Sequence, residues 1–421
     1  MLIKNCKIVS SRGLITADIL IENGRIKEIK KNLKKRGGDT LNTKGNPVIP
    51  GIVDAHTHMR DFEEKRKEDF TTGSRAALAG GVTTILEMPN TKPPITTHRI
   101  FERRIETAAD KSLVDFGIHF GVSNNLDEIG KVSPVSYKIY MDGALGNIDD
   151  IFEAAFERCS RISVHAEDSK IIERNYRYIK KRDDFLSHAE LREPKAEVDA
   201  VDKASALAKK YGRETHLCHI STKKSLGFFN EYTTSEVTPH HLFLTENSLR
   251  KFKGLAKTNP PLRTKVDLYA LWKALKNGEI DIVASDHAPH RAEEKEEDIF
   301  NCPSGIPNLE VMLKLMLTIA NRGTISLMDI ARLMCENPAR IFDLKGKGSI
   351  EVGKDADLVI LDMKKEGKID PTEFYSKAKY SPFEGRKTTG GVDTVILRGE
   401  IAFNDGDFWI KKGYGEYVGP T

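Results

Sequence analysis

Short apolar runs, continuous rather than alternating, recur through the middle of the chain, with stretches of helical period between them. Eight such runs lie near 48–55 (PVIPGIVD), 82–88 (VTTILEM), 115–121 (DFGIHFG), 136–140 (SYKIY), 161–165 (RISVH), 214–219 (ETHLCH), 233–238 (TTSEVT) and 280–285 (IDIVAS). Most are rich in Val, Ile and Thr, as strands buried on both faces should be. Helical patterns fall at 97–111, 149–158, 195–211 and 264–276, and DFTTGSRAALAGG opens on Asp69 as a cap and closes on glycine. Strand–helix alternation predicts a parallel sheet, and eight units predict a closed barrel. The ends differ. Residues 2–30 read as strands joined by tight turns, with Asn23-Gly24 a hairpin signal, and GSIEVGKDADLVILDM and VDTVILRGEIAFNDG after 345 read the same way. Neither end is long enough to bury a core alone. The expected class is therefore α/β: a (β/α)8 TIM-type barrel over 48–345, with a small β-sandwich assembled from 1–47 and 346–421.

Composition narrows the function classes. The chain is 39% hydrophobic, and no apolar run approaches the ~18 residues of a membrane span. The charged start, MLIKNCKIVSSRG, predicts no signal peptide. Net charge is +4 from 66 basic and 62 acidic residues, a mixed surface that predicts no nucleic-acid partner. The five cysteines (Cys6, Cys159, Cys218, Cys302, Cys335) form no CxxC pair, which argues against a disulfide framework or Zn–thiolate site and for a reducing cytoplasm. The runs KKNLKKR and HRAEEKEED read as solvated loops, and the abundance of lysine and glutamate also suits a protein of a thermophile.

Several strand runs contain or end at a residue able to bind a metal. GIVDAHTH ends on His56 and His58, VSYKIY carries Lys138, RISVHAE carries His165, ETHLCHIS carries His219, and IDIVASDHAPH carries Asp286. Two residues apart on a strand, His56 and His58 face the same way. The C-terminal strand ends of a barrel surround one mouth, so ligands on different strands can converge there. Four imidazoles and a carboxylate are many ligands for one catalytic zinc that keeps an open position. Two metals sharing a bridge fit better, zinc first, with cobalt or manganese also tolerated.

In combination, PGIVDAHTHMR, LEMPNT, SVHAE, THLCHIS, EVTPHHLFL and SDHAPH resemble the signature segments of dihydroorotases in the amidohydrolase superfamily. More broadly they are similar to the cyclic-amide group that includes hydantoinases and allantoinases. The resemblance implies a metal-dependent hydrolase of pyrimidine biosynthesis that interconverts N-carbamoyl-L-aspartate and L-dihydroorotate. It implies His56, His58 and Asp286 as ligands of one metal and His165 and His219 as ligands of the other. The implied bridge is a carboxylated Lys138, with the nearby Asp142 as the alternative. A metal-bridging hydroxide would attack, with Asp286 as general acid and base. Arg60, Asn90 and His290 are implied binders of the substrate carboxylate. Arg60, two residues past His58, is expected on the ligand face, where its planar fork suits a carboxylate. Hydantoinases need no such arginine, so His-x-His-x-Arg favours dihydroorotate over a hydantoinase- or allantoinase-type substrate. The intact ligand set argues against a non-catalytic scaffold. The family also suggests a homodimer and association with aspartate carbamoyltransferase. Asp54, His240, His241 and Asn259 are left between supporting and structural roles, and His98, His119, His188 and His216 are read as structural or surface residues. Segments 142–147 and 287–305 are both candidate lids.

Overall fold

Eight parallel strands close into a barrel in the computed structural model, which describes residues 1–34, 38–143, 145–158, 161–180, 182 and 184–419. Ile52–Thr57, Val82–Glu87 and Asp115–Ile118 form one arc. Phe120–Gly121, which continues the third strand past His119, forms the other with Tyr137–Tyr140, Arg161–His165, Glu214–Leu217, Thr233–Val237 and Ile282–Val283. The arcs join at His119, whose N–H donates back to Glu87 O at 2.9 Å while Phe120 N–H donates forward to Ser136 O at 3.0 Å. On the other side Thr57 pairs with His287, and His58 N–H donates to His287 O at 2.8 Å. Strand and helix patterns thus appear largely where the sequence places them. Phe70–Ala79 is capped by Asp69, which accepts from the N–H groups of Thr71 and Thr72. Thr264 and Asp267 cap Lys265–Asn277 reciprocally, and Gly278 ends that helix at φ 78°.

Two runs depart from expectation. Residues 48–55, read as one strand, are two: Pro47–Pro50 belongs to the terminal sheet and Ile52–Thr57 to the barrel. They part at Gly51, where a Cβ would meet Thr83 Oγ1 at 2.1 Å, so the crossing is open to glycine alone. In the run 280–285 only Ile282–Val283 is paired as strand. Beyond it Asp286 takes φ 43°, which turns the backbone out of the ladder.

The two ends of the chain share one nine-stranded sheet. Pro47–Pro50 joins them, parallel to Leu2–Ser10 and antiparallel to Leu358–Lys368. Ile3, Ile8, Ile19 and Val48 accordingly pack in one cluster with Leu358, Ile360 and Ile396. Each such side chain contributes roughly 1.5–3 kcal/mol when fully buried, which neither half could collect alone. Buried charges tie this sheet to the barrel: Lys347 lies 2.7 Å from Asp357 and also pairs with Asp115 at the start of the third barrel strand. Cys6, Cys218, Cys302 and Cys335 are free thiols, while Cys159 lies outside the described residues. No described helix is long and apolar enough to cross a membrane.

Candidate active site

The first strand delivers His56 and His58 to the barrel mouth. His56 Nε2 lies 3.5 Å and His58 Nε2 3.1 Å from the same oxygen, Oδ1 of Asp286, and one cation could touch all three residues. Each histidine is held from behind. Glu236 accepts from His56 Nδ1, and His58 Nδ1 lies 2.7 Å from Asn90 Oδ1. A partner on the far nitrogen sets which nitrogen faces the metal. Burial would lower the His56 pKa, but Glu236 and Asp286 outweigh it and raise it to about 10. Burial would raise the Asp286 carboxyl, yet His56 and the hydrogen bond from His58 hold it well below the usual carboxylate range. Two buried carboxylates flanking one imidazole call for positive charge at this point. A divalent cation supplies it without the proton.

His165 and His219 meet on the adjoining strands, with His165 Nδ1 2.9 Å from His219 Nε2. His165 Nε2 faces Glu167 at 2.9 Å and Asp142 Oδ2 at 3.5 Å, a second group within reach of one ion. Arg192 spans the same two carboxylates, 3.0 Å from Asp142. Among the described residues, His219 Nδ1 and His240 Nε2 are buried without a hydrogen-bond partner. The donor set therefore suits divalent metal. Lys138 is fully buried, and its Nζ donates to Cys218 Sγ at 2.8 Å.

Arg60, Asn90 and His290 also gather here. Arg60 Nη2 is 3.0 Å from His290 Nε2, and its Nε–H donates to Pro289 O at 3.2 Å. Strand alternation does not put it there. The strand stops at Thr57, and Arg60 has φ 53°. His219 and Asp286 are left-handed too, at 37° and 43°. Such backbone costs of order 1–3 kcal/mol per residue and persists where surroundings over-determine it, as functional loops do.

Sequence reasoning missed the acids behind the site. Glu236 accepts from His56, from His216 Nε2 at 3.1 Å and from His219 N–H at 3.2 Å. Glu87 accepts from Met59 N–H at 2.7 Å and pairs with buried Arg104, bracing the turn that carries Arg60. Each is the lone acid in an otherwise apolar or hydroxyl strand run, a signal that could have found both. His216 is thus part of the support rather than surface. His240 Nε2 stands 4.0 Å from Asp286 Oδ2, whereas His241 spends its nitrogens on Thr238 Oγ1 and Pro260 O. Asp54 accepts from Ser285 N–H at 3.0 Å and fastens the last strand to the first. Asn259 hydrogen-bonds Ser304 Oγ at 2.9 Å. Of the candidate lids, 142–147 includes residue 144, outside the described residues. Segment 287–305 is pinned: Lys257 Nζ donates to Ile299 O and Cys302 O, and Lys295 Nζ to Pro303 O and Gly305 O. Lys295, read as part of a solvated run, is buried.

The amidohydrolase family model matches residues 48–402. The chain belongs to the amidohydrolase family. This amidohydrolase is 40% identical to the dihydroorotase of Methanothermobacter thermautotrophicus, over 99% of this chain and 96% of that protein. It is 39% identical to the dihydroorotase of Methanosphaera stadtmanae, over 99% of each. Among solved structures, the L-hydantoinase (dihydropyrimidinase) of Arthrobacter aurescens matches with a TM-score of 0.95 at 32% identity, over 99% of both chains. The D-hydantoinase of a Thermus species matches at 0.93 and 26%, over 100% of this chain and 98% of that one. Both likenesses run the full length, so the terminal sheet and the barrel belong to one shared architecture.

Proposed function

We propose that this amidohydrolase is a dihydroorotase, interconverting N-carbamoyl-L-aspartate and L-dihydroorotate in pyrimidine (UMP) synthesis. The observation that carries the reading is Arg60 beside His290, next to Asn90 and the His58–Asp286 pair. Among the described residues Arg60 Nη1 has no protein hydrogen bond, which leaves donors for a ring carboxylate. The relatives named dihydroorotase support the same substrate. The fold neighbours are hydantoinases, whose substrates lack that carboxylate, so they support the ring-amide chemistry but not this contact.

His56, His58 and Asp286 would hold one metal and His165 and His219 the other, with carboxylated Lys138 as the bridge. Two bound divalent ions, zinc by ligand type, supply hydroxide at neutral pH and polarise an amide carbonyl. Arg60 and His290 orient the substrate through its carboxylate, and Asn90 completes that corner while holding His58. In the hydrolytic direction Asp286, held ionised, takes the proton of the attacking water. It returns that proton to the leaving ring nitrogen. Cyclisation runs the same transfers backwards. His240, whose Nε2 has no hydrogen-bond partner among the described residues and stands 4.0 Å from Asp286 Oδ2, would steady that carboxylate through the transfer. Initial rates with dihydroorotate, hydantoin, dihydrouracil and allantoin test the reading. Dihydroorotate should turn over fastest, and faster turnover of any other ring would replace it. The same reading carries a homodimer and contact with aspartate carbamoyltransferase, both open to light scattering of the protein alone and mixed.

A further inference from the structure

Lys138 sits on the fourth barrel strand, Tyr137–Tyr140, with its side chain wholly buried. Among the described residues no carboxylate pairs with its Nζ, and its hydrogen bond goes to Cys218 Sγ at 2.8 Å. The Tyr140 ring lies on another side, its centroid 5.2 Å from Nζ. Cys218 is itself buried and immediately precedes His219, and its sulfur lies within 4.8 Å of a ligand atom on both His56 and Glu236. The thiol thus lies beside the His56–Glu236 pair, with the lysine nitrogen resting on it.

We propose that Cys218 is a positioning residue for carboxylation of Lys138, an inference that rests on the bridging role given to Lys138 above. A thiol accepts one N–H weakly and brings no charge. Carboxylation then balances simply. The Nζ lone pair bonds to the carbon of CO2, one C=O π pair moves onto oxygen, and one N–H proton leaves to water. The carbamate keeps one N–H. Held on Cys218 Sγ, that N–H fixes rotation about the Cε–Nζ bond and so aims both carbamate oxygens. In the ring reaction Cys218 acts only through Lys138, which it holds by the Nζ–Sγ contact.

The test labels the metal-loaded full chain with 13C-bicarbonate and reads the carbamate 13C resonance together with metal per chain. Wild type and Cys218→Ser, which keeps an acceptor, should label alike. Cys218→Ala, and Cys218→Val should the alanine variant not fold, should need about tenfold more bicarbonate for half-labelling and lose metal in step. Labelling of either variant at the wild-type bicarbonate concentration overturns the role of Cys218 while leaving the carbamate in place. Absence of the resonance in wild type removes the carbamate itself, and the inference with it.

Discussion

Arg60→Ala separates substrate recognition from structural support, because the side chain does both. Its Nε–H holds Pro289 O at 3.2 Å and its Nη2 meets His290 at 3.0 Å, which leaves the outer edge of the guanidinium for a carboxylate. A charge-assisted hydrogen bond contributes roughly 1.5–3 kcal/mol, so losing two removes at least ~3 kcal/mol of binding. At 1.4 kcal/mol per tenfold, kcat/KM for dihydroorotate should fall on the order of 10²-fold or more. The freed Pro289 carbonyl is a different loss: that bond braces the turn rather than the substrate, so its loss weighs on every substrate alike. The informative quantity is therefore the ratio of losses. With dihydrouracil, which has no carboxylate, the same variant should fall about tenfold or less. Arg60→Lys should resemble the alanine variant, since one ammonium cannot reproduce the fork. Steady-state kcat/KM for both rings, on the three proteins at matched metal content, decides the matter. Equal losses on both rings would refute the reasoning and make Arg60 a support of the Pro289–His290 turn.

Chelation should abolish activity, and metal analysis of the active protein should give two ions per chain; one tightly bound ion at full activity contradicts the paired site. Lys138→Ala should be inactive and partly restored by short carboxylic acids. An active Lys138→Ala beside a dead Asp142→Ala would move the bridge to Asp142. Glu236→Gln removes the charge behind His56 and should weaken metal binding 10–100-fold in a competition titration, with unchanged affinity as the contrary result. Glu310, buried and accepting from Tyr375 and Ser376 N–H groups, is pushed by burial from 4.5 up to about 7. The folded state therefore holds its proton more tightly than the unfolded chain. That stabilisation is full below pH 4.5 and is lost as pH rises through 7, on the order of a few kcal/mol. Glu310→Gln should flatten the fall in urea midpoint between pH 5 and 8, and an identical slope in both proteins would count against it.

The barrel and the pairing of the two chain ends were legible in the sequence, as were the strand-end histidines that the fold brings together. Each follows from a local pattern: continuous apolar runs make buried strands, Asp69 and Thr264 cap helices, and histidines at strand ends have one common place to point. What the sequence withheld depends on which distant groups become neighbours. Gly51 splits one apolar run between two sheets because Thr83 leaves no room for a side chain there. Arg60 reaches the site through a left-handed turn braced by Glu87 and Pro289, not through the alternation of its strand. Glu236 holds His56 from 180 residues away, and Cys218 receives Lys138 from 80. Periodicity reports only a residue's own backbone and face. The partner that sets a buried histidine's tautomer, or a buried lysine's direction, is chosen by barrel closure, so only the tertiary structure could name it.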